Sequence, residues 1–353
     1  MGGKLMDLKV LVVDDSALMR KIITEMLNSC PEIEVVGTAR NGIDALEKIV
    51  KYKPHVVTLD LEMPEMDGIT ALKFIMQNFP VPVIMLSSLT QRGSEATLEA
   101  LSLGALDFIP KPSGTISLDL HKVRDELICK IKAAVRARIL TPKVELNPVL
   151  CQTPKNLKKV PLGMAQKVVA IGSSTGGPRA LENILTSLPA DLPAGILITQ
   201  HMPKGFTNSL AERLDRICLL KVKEAENGDL LKAGQVLIAP GDYHLKIDGD
   251  RRVQLNRGAP VQHVRPSIDV MMLSLSRIFR NNMVGVVLTG MGKDGTVGMK
   301  AIKEAGGRTI VQDKSTSVIF SMPNSVIKEG YADIISPLPL IASKIISCFK
   351  AGN

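Results

Sequence analysis

Asp14 and Asp15 directly follow an apolar, β-branched run at residues 9–13. Asp60 follows another at 56–59, and Lys111 follows a third at 107–109. If those runs are parallel strands, three carboxylates and one ammonium meet at one sheet edge. Three carboxylates repel one another unless a cation lies between them, and a small, partly open oxygen site suits magnesium. The metal and Lys111 would balance the equatorial charge of a phosphoryl group, leaving Asp60 best placed to attack it in line and form an acyl phosphate. Taken singly, an Asp pair after a strand reads equally as a helix cap or a solvated turn.

A second set of groups lies further on. Gly172-Ser173-Ser174-Thr175-Gly176 fits the G-x-S-x-G pattern with Ser174 at its centre, between an apolar run at 168–172 and a helix expected from near Pro178. Glycines permit the strained turn that lifts a serine between strand and helix. The next amide, Thr175, can donate to an oxyanion, and the helix N-terminus adds favourable potential. A glycine-rich turn could instead bind phosphate, but neither G-x-G-x-x-G nor a P-loop Lys-Ser/Thr ending is present.

A serine hydroxyl needs a base to become a nucleophile. His201 closes the next expected strand, 196–200, which a parallel sheet places beside Ser174. His55 and His121 lie in the first domain, His244 in a hairpin stretch, and His263, ahead of a helix, is the rival. Asp294 follows the run 284–289 through Gly290-Met291-Gly292-Lys293 and can orient the imidazole. Alone, it reads as a cap of the helix starting at Gly295-Thr296. The order Ser174, His201, Asp294 differs from the Ser, Asp, His order of α/β-hydrolases, so the elbow does not bring that whole fold with it; a triad is defined by geometry.

The elements that must position these groups follow from periodicity. Runs at 9–13, 34–37, 56–59, 83–86 and 107–109 read as strands. Amphipathic stretches at 16–28, 42–51, 69–78 and 94–103, with a fifth from about Ser117, read as helices. Five such units predict a (βα)5 domain with a parallel sheet, whose ligands bind at the strand C-termini. From about 137 to 166 the periodicity fades, and Pro142, Pro148, Pro154 and Pro161 interrupt a lysine-rich stretch that reads as a semi-rigid linker. A second α/β pattern begins at Lys167, with turn signals at Asn227-Gly228, Gly241-Asp242 and Asp248-Gly249 marking hairpins within 221–257. Helix, strand and helix follow at 267–279, 284–288 and 296–305. The expected organisation is 1–125 for the first domain, 126–166 for a basic linker, and 167–353 for a doubly wound, α/β hydrolase-type domain with a β-hairpin insertion.

Composition excludes several classes. At 353 residues, two cores are expected. No apolar run approaches a membrane span and the start lacks an apolar signal core, so a cytoplasmic location is expected. Cys30, Cys129, Cys151, Cys218 and Cys348 are scattered and odd in number, which fits reduced thiols. The net charge of +9 divides into −5 over 1–120, +8 over 121–167 and +6 over 168–353, so the excess centres on the linker. With no Trp, three Tyr, and neither a helix-turn-helix nor a zinc-finger signature, nucleic acid is not the expected partner.

Residues 8–125 resemble a bacterial two-component receiver domain, with Asp14-Asp15, Asp60, Ser87 and Lys111-Pro112 in order. The resemblance implies that Asp60 accepts phosphate from a histidine kinase, that Ser87 senses it, and that Lys111-Pro112 is a cis peptide. The whole chain resembles the chemotaxis methylesterase family CheB. The motifs that carry this are Ile171-Gly172-Ser173-Ser174-Thr175-Gly176-Gly177, Gln200-His201-Met202, Arg265-Pro266-Ser267-Ile268-Asp269 and Leu288-Thr289-Gly290-Met291-Gly292-Lys293-Asp294-Gly295. The family usually has Ala at position 173 and Asn or a similar residue at 293. Ser173 therefore raises the question of which serine attacks, and elbow position and family both favour Ser174.

The family resemblance implies hydrolysis of glutamyl methyl esters on chemoreceptor helices, with glutamine deamidation as a second activity. It implies Thr175 and Met291 amides as the oxyanion hole, a chemotaxis histidine kinase as phosphodonor, and membrane association only through receptors. Metal is expected only in the receiver site, around Asp14, Asp15 and Asp60; ester hydrolysis needs none. The opposite charges of the halves suggest that the acidic receiver covers the hydrolase mouth until Asp60 is phosphorylated. Two other readings keep part of this: a non-enzymatic response regulator whose second domain binds a partner, and a general small-molecule esterase.

Overall fold

The computed structural model describes residues 8–88, 90–111, 118–135, 137 and 163–350. The chain divides into two compact units, Met1–Lys143 and Val144–Asn353.

In the first unit, β1 (Leu8–Val13), β2 (Ile33–Ala39), β3 (Val56–Asp60), β4 (Val83–Ser87) and β5 (Asp107–Pro110) form a parallel sheet in the order β2-β1-β3-β4-β5. Between and after them run α1 (Ala17–Asn28), α2 (Gly42–Tyr52), α3 (Gly68–Asn78), α4 (Gln91–Leu103) and α5 (Leu118–Ala134). Residues 10–13 and all of β3 are buried, as expected of strands covered on both faces. The first four helices each open on a side-chain cap, from Ser16, Asn41, Asp67 and Thr90. Each such cap contributes about 1 kcal/mol and fixes where a strand-to-helix loop ends. The strand order reverses between β1 and β3, so the crevice opens at the ends that carry Asp14 and Asp60. The expected (βα)5 pattern is present, with α5 running past the expected boundary at 125. The residues 138–162 of the expected linker, together with Pro112 of the expected cis peptide, lie outside the described residues.

In the second unit, β6 (Val168–Ser173), α6 (Gly177–Thr186), β7 (Gly195–Gln200) and α7 (Phe206–Ile217) come first. Then follow β8 (Lys221–Glu224), β9 (Gln235–Ile238), β10 (His244–Ile247), β11 (Val253–Asn256) and α8 (Ile268–Phe279). The unit ends with β12 (Met283–Val287), α9 (Thr296–Glu304), β13 (Arg308–Gln312), α10 (Ser321–Lys328), β14 (Ile334–Ser336) and α11 (Leu338–Lys350). Seven strands form one sheet in the order β14-β13-β12-β6-β7-β9-β8, parallel throughout. β6 lies centrally between β12 and β7, and Val168, Val169, Ala170 and Ile171 are fully buried in it.

One expectation needs correction. Within 221–257 a single hairpin forms, β10 with β11 across Asp248-Gly249, whereas β8 and β9 are parallel neighbours. The chain at Asn227-Gly228 does not fold β8 back onto β9. It lays the connection against β11, with Gly228 N donating to Val253 O at 2.8 Å and Leu231 N to Arg251 O at 3.0 Å. A local turn signal reports that the chain bends, not which strand it meets next.

Candidate active site

At the receiver crevice, Asp14 and Asp60 are buried at 0% and 2% exposure, while Asp15 is exposed. Lys111 Nζ lies 2.9 Å from Asp14 Oδ2 and 2.7 Å from Asp60 Oδ2. α3 comes close enough to shape this crevice because Gly68 has no side chain: a Cβ there would lie 2.0 Å from Asp60 O. Burial pushes the Asp60 acid up to about 6, opposed by Lys111 and aided by the Asp14 charge. Burial disfavours the Lys111 ammonium, but Asp60 and Asp14 more than offset it and raise its pKa. One carboxylate oxygen from each of Asp14, Asp15 and Asp60 falls within 4.8 Å of the others. Hard anionic oxygens at that spacing fit a divalent cation such as magnesium. Ser87 is buried at the end of β4, and its hydroxyl accepts from Thr97 Oγ1 at 2.6 Å on α4.

In the second unit the groups singled out from the sequence meet at the C-terminal edge of three adjacent strands. Ser173 pairs in register with Gln200, so Ser174 and His201 each stand one residue beyond neighbouring strand ends. His201 N donates to Ser173 O at 3.1 Å, and Ser174 N donates to Thr289 O at 3.1 Å. Gly290 brings the turn after β12 against the serine: a Cβ on it would lie 2.7 Å from Ser174 Cβ. Gly176, at φ 78°, completes the elbow as the N-cap of α6.

His201 Nε2 lies 2.9 Å from Asp294 Oδ2. The rest of the Asp294 carboxylate is filled by Ser267 Oγ at 2.9 Å and by the amides of Ile268 at 2.7 Å, Asp269 at 3.0 Å and Gly295 at 3.1 Å. Burial works to raise its pKa, but His201 and these donors hold it below the usual carboxylate range. Asp294 therefore does close a helix N-terminus, that of α8 rather than of α9, which it directly precedes. His263, the rival base, is exposed, and among the described contacts it has none with Asp294.

Sequence reasoning left three side chains of this site without a role. Gln200 Nε2 donates to Ser174 O at 3.0 Å and to His201 O at 3.2 Å, linking the backbone at nucleophile and base. Ser173, fully buried, donates to Gln200 Oε1 at 2.6 Å and fixes the orientation of that amide. Asp269, also buried, accepts from Gly295 N at 2.9 Å, Gly298 N at 2.7 Å and Gln262 Nε2 at 3.0 Å. The signal was present in the quoted motifs, but motif spacing does not reveal partners so distant along the chain.

Residues 169–345 match the family described as CheB methylesterase, and residues 10–121 match the response regulator receiver domain. A protein of Symbiobacterium thermophilum, named protein-glutamate methylesterase/protein-glutamine glutaminase, is 50% identical, and the match covers 98% of each chain.

The chain belongs to the CheB methylesterase family.

A CheB relative of the same name from Pyrococcus horikoshii is 48% identical over 99% of this chain and 95% of its own. The crystal structure of the Thermotoga maritima CheB methylesterase catalytic domain covers 51% of this chain and 97% of its own, at 48% identity and a TM-score of 0.50. The receiver domain of this CheB-family chain implies magnesium binding for phosphorylation, and in general a kinase as phosphodonor. Among the described residues no helix is long and apolar enough to cross a membrane. Ser173 is buried and its hydroxyl donates to Gln200, whereas Ser174 at the elbow is half-buried.

Proposed function

We propose that this chain is a phosphorylation-switched protein-glutamate methylesterase, hydrolysing glutamyl 5-methyl esters of chemoreceptors and deamidating receptor glutamines at the same site. The carrying observation is the 2.9 Å link between His201 Nε2, directly after β7, and Asp294 Oδ2, in the turn between β12 and α9, with β7 and β12 flanking the nucleophile strand. Asp294 takes the Nε2 proton in hydrogen bond, which leaves Nδ1 as the basic nitrogen for Ser174.

Ser174 Oγ attacks the ester carbonyl while its proton passes to His201. Thr175 and Met291 amides hold the oxyanion beside the N-terminus of α6. Collapse of the tetrahedral adduct breaks the C–O bond, and His201 returns the proton to the departing methoxide, giving methanol. Water, deprotonated by His201, then hydrolyses the acyl-enzyme to the glutamate carboxylate and restores Ser174. Ammonia leaves less readily than methanol, so deamidation depends more steeply on His201 as general acid.

In the receiver, Asp14, Asp15 and Asp60 would hold magnesium, which when bound supplies charge neutralisation for phosphoryl transfer. Asp60 is the acceptor, Lys111 screens its charge, and Ser87 senses the product. A receptor fragment carrying glutamyl methyl esters tests the whole reading. Methanol release should rise when magnesium and a small phosphodonor are added, and this rise should vanish in Asp60→Asn. A fragment spanning 167–353 should be more active than the unphosphorylated full chain. A binding module would release no methanol under any of these conditions, and a general esterase would turn over small esters as readily as the receptor.

A further inference from the structure

Two helices in the catalytic unit have N-termini closed by each other's acids. Asp294, just before α9, accepts the Ile268 and Asp269 amides of α8 at 2.7 and 3.0 Å. Asp269, in the first turn of α8, accepts Gly295 N and Gly298 N at the start of α9 at 2.9 and 2.7 Å. The exchange is needed locally. The N-cap of α9 is Gly295, at φ 97°, with no side chain to cap the helix, and Gly292, at φ 94°, leaves the preceding turn no stiffening side chain either. Other bonds reach the turn through its backbone carbonyls, Ser321 Oγ donating to Gly292 O at 3.0 Å and Thr296 Oγ1 to Lys293 O at 2.7 Å, whereas Asp269 holds the amides that directly follow Asp294.

We propose that Asp269 is a positioning residue for the reaction, holding the Gly292–Gly298 turn so that Asp294 meets His201, and contributing a second negative charge behind the imidazole. The inference rests on the assignment of His201 and Asp294 as base and orienting acid. Both carboxylates are 3% exposed, so neither charge is screened by water. Burial, and then the Asp294 charge, push the Asp269 acid up to about 6, opposed by the Gly298 and Gly295 amides, which favour its ionised form.

The surroundings leave few other charges to act there. α8 packs against β6, β7 and β12, whose described side chains include no ionisable group. β10 brings His244, whose Nδ1 accepts from the Ser267 amide at 3.2 Å, and the exposed Lys246. α9 contributes Lys300, Lys303 and Glu304, all exposed, and Lys293 is exposed beside Asp294. Gln262 Nε2 closes the second Asp269 oxygen at 3.0 Å.

Charge and geometry separate by substitution. In Asp269→Asn one side-chain oxygen can still accept from Gly295 and Gly298, and Gln262 can turn its amide to meet the new NH2. Asp269→Ala loses both the acceptors and the charge. The test is kcat, KM and the pH profile of methanol release by the full chain on a methylated receptor fragment. Asp269→Ala should lose on the order of 10- to 100-fold in kcat with KM little changed. Asp269→Asn should recover most of that rate, with the acid limb moved to lower pH by about half a unit, because the imidazolium has lost a negative neighbour. If Asp269→Ala does not fold, the acid limb of Asp269→Asn still decides the matter. An unchanged kcat in Asp269→Ala, a change in KM alone, or an unmoved acid limb in Asp269→Asn overturns the proposal. Ser174→Ala run alongside tells the two readings apart: retained activity there removes the assigned triad itself, whereas lost activity with indifferent Asp269 variants removes only this inference.

Discussion

His201 Nε2 and Asp294 Oδ2 are 2.9 Å apart, and the same Asp294 oxygen also accepts the Ile268 amide at 2.7 Å. The imidazole is thus held by an acid that is itself seated on a helix N-terminus. That seat keeps the acid ionised and leaves it little freedom to turn. Asp294→Asn would turn its NH2 either to the shared position, where it repels the Ile268 amide and selects the wrong His201 tautomer, or to the other oxygen's place, where it repels the Asp269 and Gly295 amides. A fall in kcat on the order of 10⁴ is expected in methanol-release kinetics. A fall below about 10-fold would show that Asp294 is only a helix cap.

Gly290 lies where the nucleophile needs room. A methyl there would meet Met322 Sδ at 2.3 Å and Ser174 Cβ at 2.7 Å. Gly290→Ala should therefore displace the serine and lower kcat by about 10- to 100-fold, more than a comparable loss of stability alone would produce. Steady-state rates beside thermal melts check this, and a stable variant with full activity would contradict the packing argument.

Ser173 distinguishes a positioning hydroxyl from a reacting one. Ser173→Ala leaves Gln200 Oε1 buried without its donor, at a cost of about 1–3 kcal/mol, and should keep activity within about 10-fold of wild type. Loss of activity as deep as in Ser174→Ala would reopen the question of which serine attacks. Melting temperature and methanol release, measured on both variants, separate the outcomes.

Asp60 gives the receiver a pH dependence with a definite sign. Its acid stands at about 6 in the fold against 3.8 for a solvated Asp carboxyl, so between those values the folded chain binds more protons than the unfolded one. Stability contributed by this group therefore falls as pH rises through that window, and a cation that binds the ionised carboxylates offsets the fall. Magnesium should raise the melting temperature at about pH 7.5 and do so much less at about pH 5. A shift independent of pH, or one that survives intact in Asp60→Asn, would place the metal elsewhere.

Much of the architecture was legible because strands covered on both faces read as short apolar runs and because chemistry collects at their C-terminal ends. All five receiver strands and the central strands β6, β7 and β12 follow from that rule, and it placed Ser174, His201 and Asp294 side by side. β8 and β9 escaped it, since Asn227-Gly228 signals a bend without naming the strand that the chain meets next. β13, β14, α10 and α11 were not anticipated individually. Asp269 and Gln200 were visible as residues but not as parts of the site, because each acts on backbone groups brought near by folding: Asp269 on Gly295 and Gly298, Gln200 on Ser174. Asp294 shows the same limit from the other side. As a cap it was expected on the helix next to it in sequence, and it closes α8 instead.

The central claim is that Ser174 forms the acyl-enzyme, and labelling with a phosphonate ester that mimics the tetrahedral adduct tests it most directly. After tryptic digestion, the Val168 to Arg179 peptide should carry the label, with fragment ions placing it on Ser174, and Ser174→Ala should neither be labelled there nor release methanol. A label on Ser173 or on another peptide, or undiminished methanol release by Ser174→Ala, would contradict the account.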